Sequence, residues 1–276
     1  MIYAREKDGI RITDKSDFNI EHILECGQVF CYDKVGDDYI VFPADKFAQI
    51  VDEGDSYKIY TKDVDYFISW FDLDGDYSKI KSELAKHEIL SEPIKFGYGI
   101  RILKQDLFET LISFIVSANN NIKRIKLILN NLRKNLGKKQ ENGYSFPIFQ
   151  ALQKCDEDFF KKMGAGYRAG YLNKVLREIT PEMLSAFASL PTDKLRASLI
   201  ALSGVGPKVA DCVMLFGYNR FDVFPVDTWI VKMYNMFYAP QDKREQIAKN
   251  LVDEFGELSG YAQQYLFYYQ RSFIKK

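Results

Sequence analysis

Lys208 stands where a lysine is disfavoured. It follows Pro207 in "LSGVGPKVADC" (202–212), at the first turn of a helical pattern. The positive end of a helix dipole there opposes a cation and favours the neutral amine. A neutral amine attacks carbon and forms Schiff bases, whereas a charged one adds to an anion site; this segment allows both. Gly204 and Gly206 frame the turn before it, and the unpaired amides of a glycine turn and a helix start suit phosphate. An ordinary helix–helix connection accounts for the same residues. Nineteen residues on, Asp227 closes "FPVD" just before another helical pattern. It is placed to cap that helix, and a carboxylate held there stays ionised. The separation accommodates a helix out and a return, so that lysine and carboxylate can face one another.

The surrounding pattern reads as an α+β chain. The run "VFCYDKVGDDYIVFPA" (29–44) is an apolar–aromatic pair broken by a Gly-Asp-Asp turn, a hairpin signature, and "SYKIYTK" (56–62) alternates like a further strand. Helical spacing begins near Val64 and recurs in 105–118, 121–136, 180–190 and 191–202. The spacing predicts an antiparallel-sheet domain over 1–98 and a mostly helical body over 99–276. In that body "DKLRASLIAL", "SGVG" and "PKVADCVMLFGY" form a helix–hairpin–helix.

The 276 residues are 47% apolar and carry zero formal net charge, enough for a sizeable core and neutral as to partner. The charge is unevenly spread. Residues 33–76 hold twelve acids against four bases, while 110–140 and 159–177 hold seven and five bases and no acid. Two basic stretches on a neutral chain present a positive face to a polyanion, although a solvated helix surface accounts for them equally well. Cys26, Cys31, Cys155 and Cys212 form no CxxC pair, which argues against zinc and iron–sulfur sites and for a reducing, cytoplasmic compartment. The N-terminus is charged where a signal peptide is apolar, and the most apolar run, 107–118, is too short to span a bilayer.

Taken together, "LSGVGPKVADC" and "FPVD" resemble the helix–hairpin–helix, Gly/Pro-rich, aspartate superfamily of DNA base-excision glycosylases. The match is closer to the 8-oxoguanine DNA glycosylase/AP lyases through "CGQVFCY" (26–32), "SANNNIKRI" (117–125), "MGAGYRAGYL" (163–172) and "YAQQYLFYYQR" (261–271). The resemblance implies an enzyme that flips a damaged nucleotide out of duplex DNA. Lys208 is then the nucleophile and Asp227 the group that stabilises the sugar cation. It makes Cys212 and Phe267 the faces that sandwich the base, Gln263 the reader of its Watson–Crick edge, and Gly27 the carbonyl that accepts the N7 hydrogen. Phe216 falls where animal relatives place a methionine. Asn119 fills the gap left by the flipped base, Tyr167 wedges beside it, and Arg124 and Arg168 read the orphaned cytosine. The amides around Gly204 and Gly206 hold a phosphate. No cofactor is required; in some relatives hairpin carbonyls, here Ile200, Leu202 and Val205, hold a structural cation. The partner implied is duplex DNA containing an oxidised purine, bound by a monomer, nucleoid-associated in a bacterium. The chain departs from the pattern at Trp229, where the family often has a phosphate-contacting histidine. The competing readings are a glycosylase for another damaged base and a non-catalytic DNA clamp.

Overall fold

In a computed structural model, residues 2–273 are described. Six short strands make one antiparallel sheet: β1 (Tyr3–Glu6), β2 (Gly9–Ile12), β3 (Tyr32–Val35), β4 (Asp38–Val41), β5 (Ala48–Asp52) and β6 (Tyr57–Tyr60), in the order β1-β2-β6-β5-β4-β3. β3 and β4 are the hairpin expected over 29–44, turned at Gly36 with φ +64°. β1, β2 and β5 were not legible: their alternation is short and interrupted by charge. Gly9, at φ +152°, lets β2 lie against β6, since a Cβ there would overlap the Ile59 carbonyl.

α1 (Ile20–Glu25) and α2 (Val64–Trp70) cover this sheet, and their apolar residues join it in a core that includes Phe18, Ile59, Phe67, Trp70 and Leu103. Then follow α3 (Tyr77–Leu84) and α4 (Ser91–Phe96), α5 (Leu107–Ser117) and α6 (Ile122–Leu136). A two-stranded ribbon, β7 (Lys139–Gln140) and β8 (Gly143–Tyr144), leads to α7 (Phe149–Gln153), α8 (Glu157–Lys162), α9 (Arg168–Glu178) and α10 (Pro181–Phe187). The chain closes with α11 (Thr192–Ile200), α12 (Pro207–Phe216), α13 (Thr228–Phe237), α14 (Arg244–Phe255) and α15 (Ser259–Phe273). Thr180, Asn121 and Asp106 cap α10, α6 and α5 by accepting backbone N–H bonds.

The helices bury a second core around α5, which is enclosed almost throughout its length and packs against α6, α9 and α12. Cys26, Phe30 and Cys31 from the sheet region and Tyr77 from α3 belong to this helical core. The two cores are joined by Arg101, fully buried. It donates to the carbonyls of Phe71 (3.1 Å), Asp17 (3.0 Å), Gly75 (3.0 Å) and Asp72, and stacks on Tyr77 at 4.0 Å. An arginine shared by four carbonyls fixes the strap 100–105, which runs from one core to the other.

Candidate active site

α11, the turn 201–206 and α12 form the expected helix–hairpin–helix, with Gly206 as N-cap and Pro207 at N1. The two glycines have different tasks. Gly204 adopts φ +82°, and a Cβ on it would lie 2.7 Å from Tyr171 Cβ. Gly206 has an ordinary φ of −89° and open space around its Cα, which leaves the main chain bare. One amide is already taken, because Glu178 of α9 accepts from Ser203 N (2.7 Å) and Ser203 Oγ (2.6 Å). Among the described residues nothing accepts from the amides of Gly204, Gly206, Lys208 or Val209. The carbonyl of Leu202 accepts from Val205 N at 3.2 Å.

α12 carries Lys208, Cys212 and Phe216 at four-residue spacing, hence on one face. That face looks into a narrow cavity of about 30 Å³. All seven residues expected at the catalytic centre and base pocket line it: Lys208, Asp227, Gly27, Cys212, Phe216, Gln263 and Phe267. Phe216 stacks on Phe114 (5.4 Å, 14°), and Lys208 Nζ lies 5.2 Å from the same Phe114 ring. Burial pushes the Cys212 thiol up to about 11, against the pull of the adjacent Lys208 charge, so the sulfur is neutral near pH 7.

Asp227 caps α13: its Oδ1 accepts from Trp229 N (2.9 Å) and Ile230 N (3.0 Å). The second oxygen accepts no bond among the described residues, and no ion pair within 4.0 Å joins it to Lys208 there. Lys208 and Asp227 thus line one cavity without forming an ion pair among the described residues. Gln263 is buried and its Oε1 has no partner among the described residues. Such an orphan is a cost to the fold unless a ligand satisfies it. Trp229 carries no charge, but Lys232, one turn on, lies 5.1 Å from its ring.

A second group lies between α5 and α6 and at the start of α9. The three asparagines divide their work. Asn121 caps α6 at Arg124 N (2.9 Å), Asn120 bonds the Val116 carbonyl (3.0 Å), and Asn119 is exposed at φ +48°. An exposed, strained, uncommitted side chain at a loop tip suits a probe inserted into a ligand. Tyr167 is 58% exposed, and its hydroxyl reaches the Ala118 carbonyl at 3.1 Å. The two arginines differ. Arg124 is exposed, with one bond to the Gly164 carbonyl (3.3 Å), whereas Arg168 is buried and spends its fork on the Ala118 (2.5 and 2.7 Å) and Asn119 (2.7 Å) carbonyls. The basic stretches are less free than their composition implies. Arg133 is buried against Phe42 and bonds the Tyr144 carbonyl, and Lys161 pairs with Glu157 and Asp158.

Residues 112–257 match the family described as HhH-GPD superfamily base excision DNA repair protein, more than half of the chain, and residues 10–111 match the 8-oxoguanine DNA glycosylase N-terminal domain. The chain belongs to the HhH-GPD superfamily of base excision DNA repair proteins. Over 99% of its length this HhH-GPD protein superposes, at TM-score 0.92 and 37% identity, on 98% of the Clostridium acetobutylicum 8-oxoguanine glycosylase/lyase solved with dsDNA containing cytosine opposite 8-oxoG. A probable N-glycosylase/DNA lyase of Methanothermobacter thermautotrophicus is 31% identical over 73% of this chain and 72% of its own. The Arabidopsis thaliana N-glycosylase/DNA lyase OGG1 is 32% identical over 72% of this chain and 58% of its own. The enzyme class is that of a DNA N-glycosylase with lyase activity.

Sequence reasoning missed three residues of the HhH-GPD pocket: Phe114, Pro225 and Gln264. Phe114 sits in the apolar stripe of α5, where nothing in its spacing separates a pocket wall from core. Pro225 lies inside the "FPVD" motif, and Gln264 is the neighbour of a residue that was singled out.

Proposed function

We propose that this protein excises 8-oxoguanine from duplex DNA and then cleaves the strand, preferring lesions opposite cytosine. One observation carries the reading: a single cavity unites the Lys208 amine, the ionisable carboxylate of Asp227 and the orphan acceptor of Gln263. The Lys208 lone pair attacks C1′ of the flipped nucleotide while the bond from C1′ to the base breaks, and its electron pair leaves with the base. Asp227 faces the positive charge that develops on the sugar, where a fixed carboxylate acts most strongly. Loss of the amine proton and opening of the sugar ring give a Schiff base. Removal of a C2′ proton then expels the 3′ phosphate, which is the strand break.

Before that step Cys212 and Phe267 enclose the base, Gln263 Oε1 accepts from its Watson–Crick edge, and the Gly27 carbonyl accepts the N7 hydrogen that guanine lacks. The free amides of 204–209 take a phosphate, and a cation on the carbonyls of Ile200, Leu202 and Val205 would add positive charge there. Asn119 occupies the gap in the stack and Tyr167 wedges beside it. Arg124 offers the orphaned cytosine a planar pair of donors, and Arg168 joins it by exchanging its bonds to the Asn119 loop. We place the enzyme in the cytoplasm as a monomer; no helix among the described residues is long and apolar enough to cross a membrane.

The test is Lys208→Gln on a duplex with 8-oxoguanine opposite cytosine. Base release and nicking should fall at least about a thousandfold while lesion binding persists. Loss of affinity alone would mark a non-catalytic clamp.

A further inference from the structure

We infer that Gln264 and Arg271 of α15 are positioning residues for lesion discrimination: they clamp the backbone of residues 25–28 so that the Gly27 carbonyl alone is left to meet the base. The inference rests on the reading of the pocket given above. Gln264 Nε2 donates to the Cys26 carbonyl at 2.8 Å, and both groups are buried. Arg271 Nη2 donates to the Glu25 carbonyl. Gln105, from the strap between the cores, donates to the Gln28 carbonyl at 2.8 Å. The side chain of Gln28 is itself fixed: it donates to the Ile23 (2.9 Å) and Arg101 (2.7 Å) carbonyls and accepts from Leu103 N (2.9 Å).

The carbonyls of residues 25, 26 and 28 are therefore each held by a side chain from elsewhere in the fold. Among the described residues nothing donates to the carbonyl of residue 27, and residue 27 is one of those that line the cavity. Gly27 is at φ +89°, and a Cβ on it would lie 3.0 Å from Phe267 Cε1 and 3.2 Å from Arg271 Nη1. Arg271 is steadied in turn by the rings of Phe267 (5.4 Å) and Tyr268 (5.8 Å), and its Nη1 is buried without an acceptor.

The physical demand on this peptide is severe. Oxidised guanine and guanine differ at N7 by one hydrogen, a donor in the first and a lone pair in the second. A carbonyl that cannot turn rewards one and repels the other. A carbonyl free to swing loses both effects, because a misplacement of about 1 Å removes the bond. Gln264 and Arg271 touch neither the sugar nor Lys208 in this account, so their effect belongs to base recognition.

Arg271→Met and Gln264→Met keep the bulk and remove the donors. Each is compared with the wild type in two single-turnover assays: release of 8-oxoguanine, and cleavage of DNA carrying a preformed abasic site, which needs Lys208 but no base. We expect 8-oxoguanine release to fall about tenfold more than abasic-site cleavage, the size of one buried hydrogen bond. Arg271→Lys, which keeps a donor toward Glu25, should restore at least half of the lost ratio on a logarithmic scale. Equal losses in both assays, or no loss in either, overturn the inference. A wild type that cleaves abasic DNA but releases no 8-oxoguanine overturns the functional reading instead.

Discussion

At the scale of single residues, the site depends on atoms left unsatisfied. Gln263 Oε1, one oxygen of Asp227 and the Gly27 carbonyl accept no bond among the described residues, and the three residues line the same cavity. Gln263→Ala should lower 8-oxoguanine release roughly tenfold or more while abasic-site cleavage persists, in single-turnover assays. The same substitution removes a buried orphan, so the melting temperature should hold or rise. Arg124→Ala should narrow the rate ratio between lesions opposite cytosine and opposite adenine by roughly fivefold or more, as loss of one bidentate contact does. Lys208 and Asp227 were legible from their types alone, a lysine at a helix start and a carboxylate at a cap, whereas Gly27, Gln263 and Arg124 were named only by the family resemblance. Phe114 was not, since an aromatic that floors a pocket and one that fills a core have the same spacing and polarity.

At the scale of elements, the helix–hairpin–helix was visible in its punctuation: Gly206 and Pro207 are the N-cap and first residue of α12, and Gly204 lies within the turn that follows α11. What punctuation did not reveal is that only Gly204 needs to be glycine for conformation. Gly204→Ala should destabilise the protein by about 1–3 kcal/mol, seen as a lower denaturation midpoint, because the positive φ and the Tyr171 side chain both resist a methyl group. Gly206→Ala should leave stability within about 1 kcal/mol and weaken DNA binding instead. The Glu178 carboxylate on the Ser203 amide was equally hidden, being a contact between the end of α9 and the hairpin turn 25 residues on. Strands β1, β2 and β5 escaped because four- or five-residue strands with arginine, glutamate and aspartate on them lack a periodic signature, and pairing in the sheet rather than local preference creates them.

At the scale of the whole molecule, buried carboxylates record where its parts meet. Glu109 of α5 is fully buried and accepts from Ala44 N at 2.7 Å, tying the sheet to the helical core, and burial pushes its carboxyl up to about 7. Asp211 of α12 pairs with Arg196 of α11 at 2.9 Å, and burial lifts it to about 7 despite that partner. A carboxyl whose folded value exceeds its unfolded value makes the native state bind the extra proton, so stability declines as pH rises from about 4 to 7. Glu109→Gln keeps an acceptor for Ala44 and removes that titration. The variant should lose less stability than the wild type between pH 5 and pH 8, by roughly 1–3 kcal/mol in denaturant unfolding. An unchanged pH dependence would contradict the burial argument. That a sheet region precedes a helical body was legible from the change in hydrophobic period near Val64, the start of α2. The arginine that joins the parts, Arg101, was not, because one buried cation in a strap looks like any other charge until four carbonyls surround it.

The central claim is that Lys208 forms a covalent bond to the deoxyribose. Borohydride added during reaction with an 8-oxoguanine·cytosine duplex reduces a Schiff base to a stable amine. The account predicts a protein–DNA adduct that peptide mapping places at Lys208 and that Lys208→Gln abolishes. Base release without any trapped adduct, or an adduct at another residue, contradicts it.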